Sequence, residues 1–265
     1  MVIERFKQIQ EGWGIQERVI GALVYRELKT RVSQVRFGVA GVFIEPLGTL
    51  TVFLVLFSVL RHNPAGIDSP LFLAPGAINF AVFTEIAIRA LNAMNANESL
   101  FFYKPVKPVD TVISRTLVES GLYGIVYLVM LTGICLFKEE TVIDNLPLLT
   151  TSYVALSLTA MGLGLIFMTA GHRYPSLLQF LPIAMRPLWF LSGAFYSTLQ
   201  MPQWLQPWLT WNPVLQATEL SRHAMSPDYR IPDSISLSYL LGLAASICCM
   251  GLWIYRNNER ILLTR

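Results

Sequence analysis

Six apolar stretches, each close to the ~20 residues that a helix needs to cross a hydrocarbon core, constrain this chain more than any other feature. They fall at 37–60, 71–93, 111–137, 147–169, 177–196 and 235–255. A soluble domain carries about 25% charged residues; here only 14% are charged and 54% are hydrophobic. In lipid, backbone polar groups must be satisfied within the segment, so apolar runs of this length fold as helices. The expectation is an all-α integral membrane protein with six transmembrane helices. The fifth stretch is the least regular, because Pro182 and Pro187 interrupt it; prolines are tolerated there when neighbours or water satisfy the freed carbonyls. No internal repeat stands out, which weakens an inverted-repeat carrier.

Charge placement orients the helices. An even number of spans puts both termini on one side, and basic residues concentrate on the cytoplasmic side. Termini in the cytoplasm place fifteen of the twenty Lys and Arg residues there, including Arg5, Lys7, Arg18, Arg26, Lys29, Arg31 and Arg36. Acidic Glu139, Glu140 and Asp144 fall outside. Residues 1–36 form a region of their own. Val2, Phe6, Ile9 and Trp13 keep helical spacing, as do Ile15, Val19, Leu23, Leu28 and Val32, with the basic residues largely off that stripe. Such a helix lies on the membrane surface or packs on a partner; the spacing suits both. The first apolar run starts only after this region, so no cleavable signal peptide is expected. Residues 37–265 are expected to form a single transmembrane domain.

Two loops are unlike plain linkers. In the segment 95–108, Asn97 or Ser99 can cap a short helix that Pro105 and Pro108 then stop. Leu100, Phe101, Phe102 and Tyr103, with Lys104 and Lys107, make it aromatic and basic. It reads either as a docking knob for another protein or as rings dipping into lipid headgroups. Asn97-Glu98-Ser99 matches a glycosylation acceptor, but its cytoplasmic side removes that use. The second loop, 196–232, carries Trp204, Trp208, Trp211 and Asn212 and closes on Glu219 and Arg222. Half-wet rings suit the membrane–water interface, which implies a re-entrant or interfacial outer hairpin between the fifth and sixth helices.

Charges within the apolar runs are costly and need partners. Glu85 and Arg89 are four apart, as are Arg115 and Glu119, so each pair can neutralise itself on one helix face. Glu45 sits in the first span, protonated or paired across helices. Arg186 is mid-span with no acidic residue three or four positions away. It either lines a watery path for an anionic or hydroxyl-rich substrate or pairs with Glu45 or Glu85.

Chemistry of other kinds finds no support. There is no phosphate-binding G-x-x-x-x-G-K-[ST] loop, no zinc-protease motif and no nucleophile elbow, so no catalytic residue is assigned. Cys135, Cys248 and Cys249 lie in apolar runs, and His62, His172 and His223 lie in separate loops, which argues against a metal site. Basic residues do not interleave with aromatics as a nucleic-acid surface requires.

The pattern resembles the ABC-2 type permease family. The likeness rests on Pro187-Leu188-Trp189-Phe190-Leu191-Ser192-Gly193-Ala194-Phe195-Tyr196, then Met201-Pro202 with Trp204-Leu205, Asn212-Pro213, Glu219 and Arg222. Ile44-Glu45-Pro46-Leu47 and Tyr103-Lys104-Pro105-Val106-Lys107-Pro108 make it most similar to the capsular polysaccharide export permeases. O-antigen and teichoic-acid exporters share the hairpin signature. The resemblance implies a homodimer in the bacterial inner membrane, bound to two copies of a separate P-loop ATPase that holds the ATP and Mg. It implies a coupling helix from Asn97 to Lys107 and an outer gate in the hairpin. The implied substrate is a lipid-linked acidic polysaccharide, passed to a periplasmic co-polymerase-type protein and an outer-membrane channel. Trp189, Phe190, Phe195 and Tyr196 are expected to offer sugars a stacking surface, and Arg186 to attract carboxylates.

Readings outside this one are an ion-coupled carrier or channel, which needs ionisable groups converging at mid-membrane, and a transferase acting on lipid-linked sugars, which needs an acidic or metal-binding loop cluster. On the same scaffold the alternatives are an exporter of O-antigen, of another glycolipid, of a drug or of a small lipid.

Overall fold

A computed structural model describes residues 2–34, 69–102, 105–138 and 143–263, with Phe43, Leu47, Gly48, Thr51, Val52 and Val55. Most of the expected first span, including Glu45, lies outside the described residues, as do Tyr103, Lys104 and the side chains of residues 2–13. Every regular element among the described residues is helical. Helix α1 runs Val2–Gln34 and α2 runs Ser69–Leu91. Helix α3 (Ala93–Asn97) continues into a tight 3-10 turn, Glu98–Phe102. Then come α4 (Pro108–Lys138) and α5 (Leu146–Arg173). Short helices follow: α6 (Leu177–Met185), α7 (Leu188–Leu191) and α8 (Gln206–Leu209). Helix α9 (Pro213–Met225) and the long α10 (Leu237–Leu263) complete the chain.

Four of these, α2, α4, α5 and α10, are long and apolar enough to cross a membrane. Local chemistry sets their ends. Asn145 caps α5 by accepting from the Leu148 amide at 3.0 Å, with Pro147 inside the first turn; the missing proline N–H costs nothing there. Asn212 and Pro213 begin α9 in the same way.

Helices α2 and α5 form the buried centre, and α4 and α10 keep most of their surface bare. That bare surface is apolar: Leu117, Ile125, Leu128 and Val129 on α4, Leu241, Leu252 and Trp253 on α10. Water would penalise such faces and lipid does not. The α5–α10 crossing is close because glycines meet there. A Cβ on Gly162 would lie 2.7 Å from the Cys248 amide nitrogen, and one on Gly251 would strike the Gly162 carbonyl. Small residues at such crossings let membrane helices pack by van der Waals contact.

The fifth apolar stretch differs from a single span. It is two pieces, nine-residue α6 and four-residue α7, separated at Arg186-Pro187. Pro182 is accommodated inside α6, while Pro187 removes a donor and ends the first piece.

The bundle has two distinct ends. At one, α2 begins, α5 begins, α9 packs against both and α10 starts. At the other, α1 and the 95–108 segment meet the ends of α2, α5 and α10 and the start of α4.

The glycine contact gives a direct test. Gly162→Ala should destabilise the fold by about 1–3 kcal/mol, the usual cost of overpacking. Gly242→Ala, where the added Cβ meets nothing within 4 Å, should be neutral. Thermal unfolding of the two variants in detergent measures the difference.

Candidate functional site

At the hairpin end, Arg222 is 1% exposed. It sits on α9 beneath the non-helical segment 192–197, whose backbone has left its own hydrogen-bond ladder. Nε donates to the Phe72 carbonyl at 2.9 Å, Nη1 to the Tyr196 carbonyl at 3.2 Å and to Glu219 Oε1 at 3.3 Å. Nη2 donates to the Gly193 and Ala194 carbonyls at 2.8 and 3.0 Å. All five guanidinium N–H groups therefore have acceptors. The guanidinium also lies 3.5 Å from the centre of the Phe72 ring, within cation–π range.

Glu219, 0% exposed, completes the knot. Oε1 accepts from the Thr198 amide and hydroxyl, both at 3.1 Å. Oε2 accepts from the Tyr229 hydroxyl at 2.8 Å, whose oxygen is 2.9 Å from Ser197 Oγ. Burial and the adjacent Glu219 carboxylate raise the Tyr229 phenol above its ordinary range, so it remains a donor. Gly193, at φ +70, makes the turn that aims these carbonyls at Arg222; a side chain is strained in that region.

The aromatic residues of the hairpin gather beside this knot. Phe80 stacks on Trp189 with ring centres 5.6 Å apart, Trp189 on Phe195 at 5.6 Å, and Phe190 tilts against Phe195 at 6.4 Å. Phe190 is 72% exposed. Tyr196 stands apart from the ladder, and its carbonyl is held by Arg222. Trp204, Trp208 and Trp211 are all largely exposed. Asn212 ties the hairpin down, donating to the Leu191 carbonyl at 2.8 Å. Below them opens an apolar cleft of 540 Å³ lined by Phe80, Phe83, Leu163, Leu188, Trp208 and Ile247, among others.

Arg186 is exposed at the break between α6 and α7. It makes no ion pair among the described residues, and Glu85 pairs with Arg89 at 2.9 Å instead.

At the opposite end, a cluster of ion pairs fastens α1. Glu119 is 0% exposed and pairs with Arg31 and, at 2.9 Å, with Arg89. Arg115 pairs with Glu27 at 3.7 Å and donates to the Arg89 carbonyl. The expected Arg115–Glu119 pair within α4 is thus replaced: α1 and α2 bring partners that approach from the side. Asp110 accepts from Gln16 of α1 and from the Lys107 amide.

The 95–108 segment is built on this base. Asn97 is buried, donates to the Ala93 carbonyl at 2.8 Å and accepts from Arg26. It is a structural tie, not an exposed contact. Leu100 and Phe101 are half-buried, whereas Phe102 is 81% exposed. Lys107 faces Glu259 of α10 at 4.0 Å. No group of three or more metal-ligating side chains occurs among the described residues.

A profile of ABC-2 type transporters matches residues 18–226, which take in both ends of this arrangement. The chain belongs to the ABC-2 type transporter family. It is 35% identical over 256 residues to the polysialic acid transport protein KpsM of Escherichia coli, covering 96% of this chain and 99% of that one. It is 27% identical to the capsule polysaccharide export inner-membrane protein CtrC of Neisseria meningitidis serogroup A, over 87% of this chain and 90% of that one. It is 24% identical to the capsule polysaccharide export inner-membrane protein BexB of Haemophilus influenzae, over 95% of each.

As an ABC-2 permease the chain is a transport subunit, and its hairpin knot contains groups that sequence reasoning did not single out. Phe72, Ser197, Thr198 and Tyr229 join Glu219 and Arg222, and Phe80 joins Trp189, only through tertiary contact. Arg26, Glu27 and Arg31 do the same at the α1 end. Their helical spacing marks them as an exposed face and carries no signal of a partner.

Arg222→Lys keeps the charge but has three N–H groups for five acceptors, so the hairpin should be cut faster by added protease. Arg222→Ala leaves Glu219 buried without its cation and should cost about 3–5 kcal/mol. Limited proteolysis and the yield of folded protein check both.

Proposed function

We propose that this chain is the membrane subunit of an ATP-driven exporter that carries lipid-linked, acidic capsular polysaccharide across the bacterial inner membrane. One observation carries the reading: the near end-to-end identity of 35% with a protein named for polysialic acid transport. Two copies form a homodimer with the pathway between them. Each binds a separate P-loop ATPase that supplies the ATP and Mg site, since this chain has no phosphate-binding loop of its own. A periplasmic co-polymerase-type protein and an outer-membrane channel receive the polymer.

In this reading the α1 end is cytoplasmic, both termini are inside, and the hairpin end faces out. Residues 1–36 lie at the inner surface and 37–265 form the permease domain. The first apolar stretch and the broken fifth one bring the spans to six, and residues 196–232 form a re-entrant outer hairpin. Segment 95–108 couples to the ATPase. Exposed Phe102 is its knob, and Asn97, Leu100, Phe101 and Lys107 set its position.

The chemistry of the path favours a moving polymer. Sugars are hydrated, but their C–H faces stack on rings, and the Phe190–Phe195–Trp189 ladder offers stacking without a fixed set of hydrogen bonds. Arg186, exposed and without an ion-pair partner among the described residues, attracts carboxylates as they pass. The hairpin with Trp204, Trp208, Trp211 and Asn212 is the gate, and the Glu219–Arg222 knot holds its root.

Two substitutions test this. Arg186→Ala should lower surface polysaccharide about tenfold, the loss of about 1.4 kcal/mol from a charge-assisted contact, with normal folding and normal ATPase binding; unchanged export refutes its role. Phe102→Ser should remove an aromatic anchor worth about 2 kcal/mol or more, so less ATPase co-purifies and hydrolysis no longer drives export. Normal co-purification and export would sink the docking role.

A further inference from the structure

We propose that the apolar cleft beneath the hairpin is the seat of one hydrocarbon tail of the lipid-linked substrate; this deepens the export reading above and rests on it. The cleft has the right depth. Its lining takes in Trp208, Trp211 and Asn212 of the hairpin, whose Trp211 carbonyl meets Tyr239 at the start of α10, and extends to Ile247. Ile247 is ten residues into α10, about 15 Å from the start of that helix at 1.5 Å per residue. That is about half of a ~30 Å hydrocarbon core, the thickness of a single leaflet.

The cleft also has the right chemistry. Its 540 Å³ is lined by three of the helices long and apolar enough to span a membrane, α2, α5 and α10, together with α6 to α9. No charged side chain lines it, and none occurs from Pro187 to Thr218. Its few polar side chains are already engaged. The Thr159 hydroxyl donates to the Ala155 carbonyl at 2.8 Å. The Asn212 amide donates to the Leu191 carbonyl, and its oxygen accepts from the Val214 amide. Beyond the indole N–H groups of Trp208 and Trp211, a sugar or a column of water would find few partners there, and the cost of unmade hydrogen bonds disfavours both. A hydrocarbon chain loses nothing by entering.

Position selects the substrate's tail over that of any bilayer lipid. Phe80 forms part of the cleft wall and also stacks on Trp189, the first ring of the aromatic ladder. Leu191 lines the cleft while its neighbour Phe190 stands exposed. A tail in the cleft therefore brings its headgroup out beside the rings that face sugar. The cleft and the ladder are two halves of one site, one for the anchor and one for the first sugars.

The test uses the full chain in vesicles of phosphatidylethanolamine and phosphatidylglycerol, with two probes that carry the same photoreactive acyl chain. One is a diacyl glycerophospholipid glycosylated on its headgroup, and the other is the same lipid without sugar. Adducts are mapped by peptide mass spectrometry. The expected result is labelling of Phe83, Leu163 and Ile247 by the glycosylated probe, about tenfold above the plain one, equivalent to about 1.4 kcal/mol. Val154 and Leu158, exposed on α5, should be labelled equally by both. Leu163→Trp, which fills the cleft, should abolish the inner adducts and keep those at Val154 and Leu158; Phe83→Trp serves if the first variant misfolds. Equal labelling of the cleft by both probes overturns the proposal in favour of a bulk-lipid site. Labelling of Val154 and Leu158 alone overturns it too, because the cleft is then filled by protein, such as a second copy. Restoration of surface polysaccharide by the wild-type chain is scored separately, so failure of the export reading is distinguished from failure of the cleft.

Discussion

When a chain leaves the helix inside a low-dielectric surrounding, its carbonyls must find donors other than water, because an unmade hydrogen bond there costs several kcal/mol. Arg222 meets that need for the turn after α7. Its five N–H groups reach the carbonyls of Phe72, Gly193, Ala194 and Tyr196 and the Glu219 carboxylate. Lysine cannot do this, since its three donors diverge from one point. Glu219 balances the charge and ties down Thr198 and Tyr229 at the same time. The unwound segment, and with it the backbone on either side of Phe195, hangs on this one pair.

The two ends of the bundle use charge differently. At the hairpin end a single buried pair fixes backbone. At the α1 end, three arginines and three carboxylates join α1 to α2 and α4, and Arg26 extends the network to Asn97 in the 95–108 segment. Helix α10 runs between them without a break. Near its start Gln216 holds the Ser234 carbonyl and the Ser236 amide, and near its finish Glu259 faces Lys107. The glycine crossing with α5 keeps it close to the core.

Legibility differed from residue to residue for physical reasons. The spans α2, α4, α5 and α10 were plain in the sequence, because a run of about 20 apolar residues has one stable solution in lipid. The break in the fifth stretch was signalled by Pro187, and its outcome as two short helices was not. The Glu85–Arg89 pair was readable from four-residue spacing. The same rule misled at Arg115 and Glu119, where α1 and α2 supply competing partners. Phe101 and Phe102 looked alike in the sequence, yet one packs inward and the other is bare. Asn97 reads in the sequence as part of a contact surface and is a buried tie. In each of these cases the deciding neighbour lies far along the chain.

The sequence by itself determined the class of the protein, its solvent, its long helices and the family it belongs to. These follow from composition, run length and short-range spacing, which act within a few turns of one helix. Only the tertiary structure decided which side chains share a site: Phe72, Ser197 and Tyr229 around Arg222, Phe80 on Trp189, and Arg31 on Glu119. Apart from Tyr229, which lies just beyond α9, such partners are separated by tens of residues or more, and they meet because packing between elements, not any local pattern, brings them within hydrogen-bond or ring-contact distance.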